Sequence, residues 1–160
     1  MKIKLSHVKY MQRGFTLIEI LVVIGIIAVL ATIVIVAINP ARQFAQARNT
    51  QRQSNIETIL NAVGQNLADN KGIFTCPGIG TAIGTPAAST TVGTAVGSSN
   101  LGSCLVPTYI PSQIPMDPTN GTPVDTKYQI SVDSIGRYMV CAPNAVETAI
   151  PGSTALCLTR

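Results

Sequence analysis

Arg13–Ile38 reads RGFTLIEILVVIGIIAVLATIVIVAI, and its one acidic residue is Glu19. The stretch from Phe15 to Ile38 predicts about 36 Å of helix at about 1.5 Å per residue, and a bilayer's hydrocarbon core is about 30 Å thick. A secretory signal has a shorter apolar region and a small-residue cleavage site. Here Ala28, Ala31 and Ala37 offer weak sites, and the run is too long. An ionised carboxylate in such a run costs several kcal/mol unless something pairs with it. Glu19 therefore marks a function.

The flanks are asymmetric. Lys2, Lys4, Lys9 and Arg13 precede Gly14 without an acid, whereas from Phe15 onward seven basic residues balance seven acidic ones. The pI of 9.0 thus reflects a basic leader, and not a nucleic-acid-binding head. Basic residues on both sides of the span give only a lean towards an inside N-terminus. Asn39-Pro40 ends the run, since the residue before proline is steered away from helix and proline suits a first helical turn. Beyond it Ile56, Ile59, Leu60, Val63 and Leu67 recur at helical spacing. This predicts an amphipathic helix with Gln53, Asn61 and Asn66 off the apolar face and Arg48 and Arg52 in solvent. Asn70-Lys71-Gly72 carries the stop signal.

Gly14-Phe15-Thr16-Leu17-Ile18-Glu19, after a short basic leader and before an apolar helix, resembles the class III signal of type IV pilins and pseudopilins. The resemblance implies cleavage after Gly14 by a membrane prepilin peptidase and methylation of the new N-terminus at Phe15. Glu19 becomes the fifth residue of the mature chain. In the family's filaments that carboxylate meets the N-terminal amine of a neighbouring subunit, so Phe15 and Glu19 are the expected assembly residues. The partners implied are other copies of the chain, the peptidase, pilus assembly platform proteins, and the membrane before assembly. The expected location is the inner membrane first and an external filament afterwards.

The fold expected is α+β: a long N-terminal helix packed through its second half on a small C-terminal antiparallel sheet, the pilin fold. Its parts are a leader 1–14, a transmembrane and polymerisation helix 15–38, an amphipathic helix 39–72, and a head 73–160. The head holds a loop, 73–116, and a sheet, 124–160. Gly72–Met116 has no charged side chain and is mostly Gly, Ser, Thr, Ala and Val at its centre, which reads as a surface loop too poor in large apolar groups to form core. Tyr128, Ile130 and Val132 alternate on one face, as do Tyr138 and Val140, and Asp133-Ser134-Ile135-Gly136 between them predicts a hairpin. Ala155–Thr159 adds a third strand. YIPSQIPMDP and this hairpin also resemble the C-terminal half of pseudopilins.

Cys76, Cys104, Cys141 and Cys157 all follow the apolar run, and none forms a CxxC pair. They read as two disulfides made in an oxidising compartment, with three pairings open. The sequence-local pairing, Cys76–Cys104 and Cys141–Cys157, is preferred, and each loop is worth about 3 kcal/mol in the chain-entropy model. Asn120-Gly121-Thr122 is an N-glycosylation sequon and the loop hydroxyls are O-glycan acceptors. A bare turn and an unmodified loop are the plainer readings.

The chain's one histidine, His7, falls in the leader. A cleaved chain then has no Ser-His-Asp or Cys-His nucleophile, and no phosphate loop appears. No enzyme, cofactor or metal is expected. Asp117, Asp125 and Asp133 lack EF-hand spacing and read as turn aspartates. A DNA-uptake pilin would use Arg42, Arg48, Arg52, Lys71, Lys127, Arg137 or Arg160 against phosphates. No basic cluster with interleaved aromatics supports this. A merely membrane-anchored binding module leaves Gly14, Phe15 and Glu19 unexplained together.

Overall fold

The computed structural model describes residues 14–160. The leader, with Lys2, Lys4, His7, Lys9 and Arg13, lies outside the described residues apart from Gly14. The chain divides into two compact units, Met1–Pro40 and Ala41–Arg160.

In the first unit, helix α1 spans Leu17–Ile38 and buries none of its side chains within the chain. Its many Val and Ile residues are indifferent helix formers in water. Without water, however, each backbone N–H and C=O must bond within the segment, and a helix achieves that. Thr32 satisfies its hydroxyl by donating to the Ala28 carbonyl at 2.8 Å. The helix stops at Asn39, whose backbone is left-handed at φ 46° and ψ 81°. Asparagine tolerates that conformation, and Pro40 disfavours a helical residue before it.

Helix α2 spans Pro40–Asp69 and, after its first residue, belongs to the second unit. Ile56, Ile59, Leu60, Ala62 and Val63 are buried along one side. The helix closes with a bond from the Gly72 N–H to the Leu67 carbonyl, 2.7 Å, across left-handed Lys71 and Gly72. Two side chains depart from the sequence expectation. Arg52 is buried, paired with carboxylates from two distant loops. Asn66 is buried because its amide exchanges both hydrogen bonds with the backbone of Thr75, at 3.0 Å each.

Four antiparallel strands form the sheet in the order β1-β2-β3-β4: Thr90–Thr91, Gln129–Val132, Tyr138–Ala142 and Leu156–Thr159. Ile130 faces Val140, and Val140 faces Leu158. Tyr128, Ile130, Val140 and Ala142 pack with the α2 stripe in one core. The β2–β3 turn is held by the Asp133 carboxylate, which accepts the backbone N–H groups of Ile135 and Arg137. Gly136 supplies the left-handed residue, φ 83°.

The segment 73–116 is not a peripheral loop. Val92, Leu101, Leu105 and Ile110 are buried in the same core. Leu101 is the N-cap and Leu105 the last residue of a one-turn helix, α3 (Gly102–Leu105). Thr90 and Thr91 form the edge strand against Ile130 and Gln129. A few well-placed apolar residues suffice because hydroxyls satisfy the backbone around them. Ser99 donates to the Thr81 carbonyl, and Thr90 Oγ1 accepts the Gly84 N–H.

Candidate functional site

Two places in the chain concentrate polar chemistry where apolar neighbours make it costly. The first is the start of α1. Thr16 is its N-cap, with extended backbone, and its hydroxyl oxygen accepts the Glu19 N–H at 3.3 Å. Glu19 returns the bond: its Oε2 accepts the Thr16 backbone N–H and the Thr16 hydroxyl, both at 2.8 Å. This is a capping box, which satisfies orphan donors of the first turn reciprocally. The carboxylate that the sequence alone leaves unpaired thus has partners within its own chain. Its position in the first turn also sets it against the positive end of the helix dipole. Phe15 is exposed, and no atom lies within 4 Å of where a side chain at Gly14 would begin.

The second place is the buried ion network of the head. Arg52 is 1% exposed, and all five of its N–H donors have acceptors in reach. Its Nε donates to Asp117 Oδ2 at 2.7 Å and its Nη2 to Asp117 Oδ1 at 3.4 Å and Thr119 Oγ1 at 2.9 Å. Its Nη1 donates to Glu147 Oε1 at 2.6 Å and Asn49 Oδ1 at 2.7 Å. Arg48 grips the same Glu147 through Nε and Nη2, at 2.8 and 2.6 Å.

Two guanidiniums and two carboxylates leave the network formally neutral, as a buried group of charges must be. Burial pushes the Asp117 carboxyl up, but hydrogen bonds from Arg52 and from the Thr119 and Asn120 backbone outweigh it and hold the group below the usual range. Hydrogen bonds from Arg48 and Arg52 hold Glu147 down to about 2. Gly121 completes the turn after Asp117 by donating its N–H to the Asp117 carbonyl at 3.0 Å. A Cβ there would lie 2.3 Å from the Asp117 nitrogen, so only glycine fits. One turn along α2 from Arg52, Asn55 donates to the Met116 carbonyl and the Tyr128 hydroxyl at 3.0 and 2.8 Å.

The remaining candidates are placed as follows. Disulfides join Cys76 to Cys104 and Cys141 to Cys157, the latter between residues directly opposite on β3 and β4. Asp125 binds Lys127, and Asp133 binds Arg137, each within its own turn. Arg160 donates to Asn61. Among the described residues no group of three or more His, Cys, Asp or Glu side chains could hold a metal ion. Asn120 is exposed, and its side-chain oxygen accepts from Asn144 at 2.9 Å.

Arg48, Arg52, Lys127 and Arg137 are thus each committed to carboxylates of the same head. Sequence reasoning missed the network. The available signal was the spacing of Ala45, Arg52, Ile56, Ile59 and Val63, which carries the buried stripe back through the arginine.

Residues 9–35 match the family model described as the prokaryotic N-terminal methylation motif. The match spans Gly14, Phe15, Thr16, Glu19 and most of α1, and stops short of the head. Neither a curated protein nor a solved structure matches the chain. Gly14, Phe15, the first-turn Glu19 and the apolar helix stand together in the matched stretch, ahead of a four-stranded α+β head: the chain carries a prokaryotic N-terminal methylation motif, the class III prepilin signal.

Proposed function

We propose that the chain is a structural subunit of a type IV pilus-like filament, without enzymatic activity. It is cut after Gly14 by prepilin peptidase, methylated at Phe15 and polymerised through α1. The observation that carries this reading is the first turn of α1, where Glu19 sits inside a matched methylation motif. Thr16 keeps its N–H after such a cut, because that N–H belongs to the Phe15–Thr16 peptide, so the capping box survives in the mature chain.

Assembly then exchanges one environment of Glu19 for another. In the lone subunit the carboxylate is held by two neutral donors. In the filament it gains the charged amine of a neighbour's Phe15, and a charge-assisted bond is roughly twice as strong as a neutral one. That gain is available only where the amine arrives at the right height, so the pair selects register as well as favouring exit from lipid. The disulfide-linked head is consistent with final exposure outside the cell.

Intact mass and N-terminal peptide identification, on protein sheared from the cell surface, test the reading. A chain beginning at methylated Phe15 in that fraction supports the pilus. A cut, methylated chain that stays with the membrane points to a type II secretion pseudopilin or a minor subunit. A chain still carrying residues 1–14 overturns the assignment in favour of an anchored module.

A further inference from the structure

The two edges of the sheet are treated differently. At β1 the outward carbonyl of Thr91 accepts the Ser99 N–H at 2.8 Å, so the uncharged segment covers its own strand. At β4, the opposite edge, no further strand pairs among the described residues. Tyr138 and Arg160 exchange both backbone bonds, at 2.8 Å each. Bonded and non-bonded pairs alternate along an antiparallel ladder, so Val140–Leu158 and Ala142–Leu156 are bonded pairs as well. The N–H and C=O groups of Cys157 and Thr159 therefore point away from β3, into open space.

Such an edge is a template for another strand, and proteins commonly blunt it with charge, proline or a bulge. Leu156–Thr159 has no charged residue and no proline, and its register against β3 runs without a bulge. The following residue, Arg160, directs its side chain to Asn61 of α2 and leaves the edge clear. The Cys141–Cys157 disulfide staples β4 to β3, so the template is held in place. Between α2 and β4 lies a groove of about 250 Å³, lined by Glu57, Leu60, Asn61, Leu158 and Arg160, with room for one leucine side chain.

We propose that β4 is a docking edge for β4 of a second copy, the two strands pairing antiparallel about a two-fold axis at Leu158. Cys157 of each copy then faces Thr159 of the other, and their outward groups make four backbone bonds. The two Leu158 side chains meet on the α2 side, each at the other's groove. Arg160 falls opposite Leu156, so like charges do not meet across the pair. Glu57 and Arg160 give the groove one charge of each sign, and Arg137, near the end of the edge, is held by Asp133. A second copy is the occupant because β4 itself meets what the edge asks for: an uncharged, stapled strand with a leucine facing the groove.

Four bonds and two leucines fall well short of the roughly 1,200 Å² of a stable interface. The pairing therefore belongs where copies are crowded, and dilute chains stay single. It stands apart from the filament reading, since a two-fold contact closes on itself and does not propagate.

The full chain is placed in phosphatidylcholine vesicles at low and high protein density, and amide hydrogen exchange is read residue by residue. The expected result is fast exchange at Cys157 and Thr159 at low density, slowing about tenfold once nine copies in ten are paired. Leu158, bonded to β3, is protected at both densities. Thr159→Pro removes only an outward N–H, so the head keeps its β3 ladder and its urea midpoint. In that variant the slowing at Cys157 is lost, whereas Thr159→Val, which keeps the N–H, retains it.

Exchange at Cys157 and Thr159 that ignores density overturns the proposal, even where cross-linking shows that the copies associate, because α1 then carries the association. Slow exchange already at low density means that the edge is covered within the chain and overturns it too. Slowing at Cys157 that persists in Thr159→Pro does the same. Protection present only in unpurified membranes assigns the edge to a strand of another protein and overturns self-pairing.

Discussion

Arg52 and Asp117 are 65 residues apart in sequence, yet they meet at 2.7 Å with side chains that are 1% and 0% exposed. The pair fixes the middle of α2 to the turn that leads into the sheet. Removing one partner strands a buried charge, which costs about 3–5 kcal/mol. Asp117→Asn keeps the shape and removes the charge, so the unfolding free energy read from the urea midpoint of the disulfide-intact protein should fall by an amount in that range. An unchanged midpoint would contradict the burial described here.

The same network sets an acid limit. Glu147 is held at about 2 and Asp117 below its ordinary value, whereas the unfolded chain titrates its carboxyls near pH 4. Below that point the unfolded state binds more protons than the folded one, so stability falls with pH. The contribution is fully present above about pH 5 and drains away towards pH 2. Denaturation midpoints measured between pH 7 and pH 2.5 should show this slope, and Glu147→Gln should flatten it.

Leu101 tests whether the uncharged segment is part of the core. It is fully buried, so Leu101→Ala should cost about 2–5 kcal/mol. Val96, exposed in the same segment, should change stability by less than about 0.5 kcal/mol on replacement with alanine. Equal effects at the two positions in a thermal or urea melt would return the segment to the status of a solvated loop.

At the start of α1, Glu19→Leu removes the carboxylate and leaves an apolar span. The variant should still be inserted and cut after Gly14, because the leader and the apolar run are untouched. It should be depleted from the sheared fraction and accumulate in the membrane, read by immunoblot and mass of both fractions. Filaments in normal quantity would remove the charge pair from the account of assembly.

Strong periodicity made much of this architecture legible. The apolar run, the stripe from Ile56 to Val63 and the alternation through Tyr128, Ile130 and Val140 all correspond to observed elements. What escaped was chemistry whose partners lie far apart. Arg52 reads as a solvated arginine until Asp117 and Glu147 arrive from distant loops, and Asn66 reads as a surface amide until Thr75 turns back onto it. The edge strand Thr90–Thr91 is too short for any period, and four apolar residues diluted among Gly, Ser and Thr do not announce a core. At the start of α1 the sequence motif carried the reading. The capping box itself follows from Thr16 and Glu19 standing three apart, a spacing visible beforehand.

From Gly72 to Met116 the chain has no Asp, Glu, Lys, Arg or His. Both of its cysteines are tied in one disulfide, and its single tyrosine, Tyr109, donates to Asp69 and is pushed above the ordinary phenol range by that bond. Surface built from this segment therefore keeps a constant charge state from acid pH up to the ordinary phenol range. Its contacts would rest on shape and hydroxyl hydrogen bonding, with no ion atmosphere to displace. A filament presenting this flank outward would meet fresh water, brine or acidified surroundings with the same face.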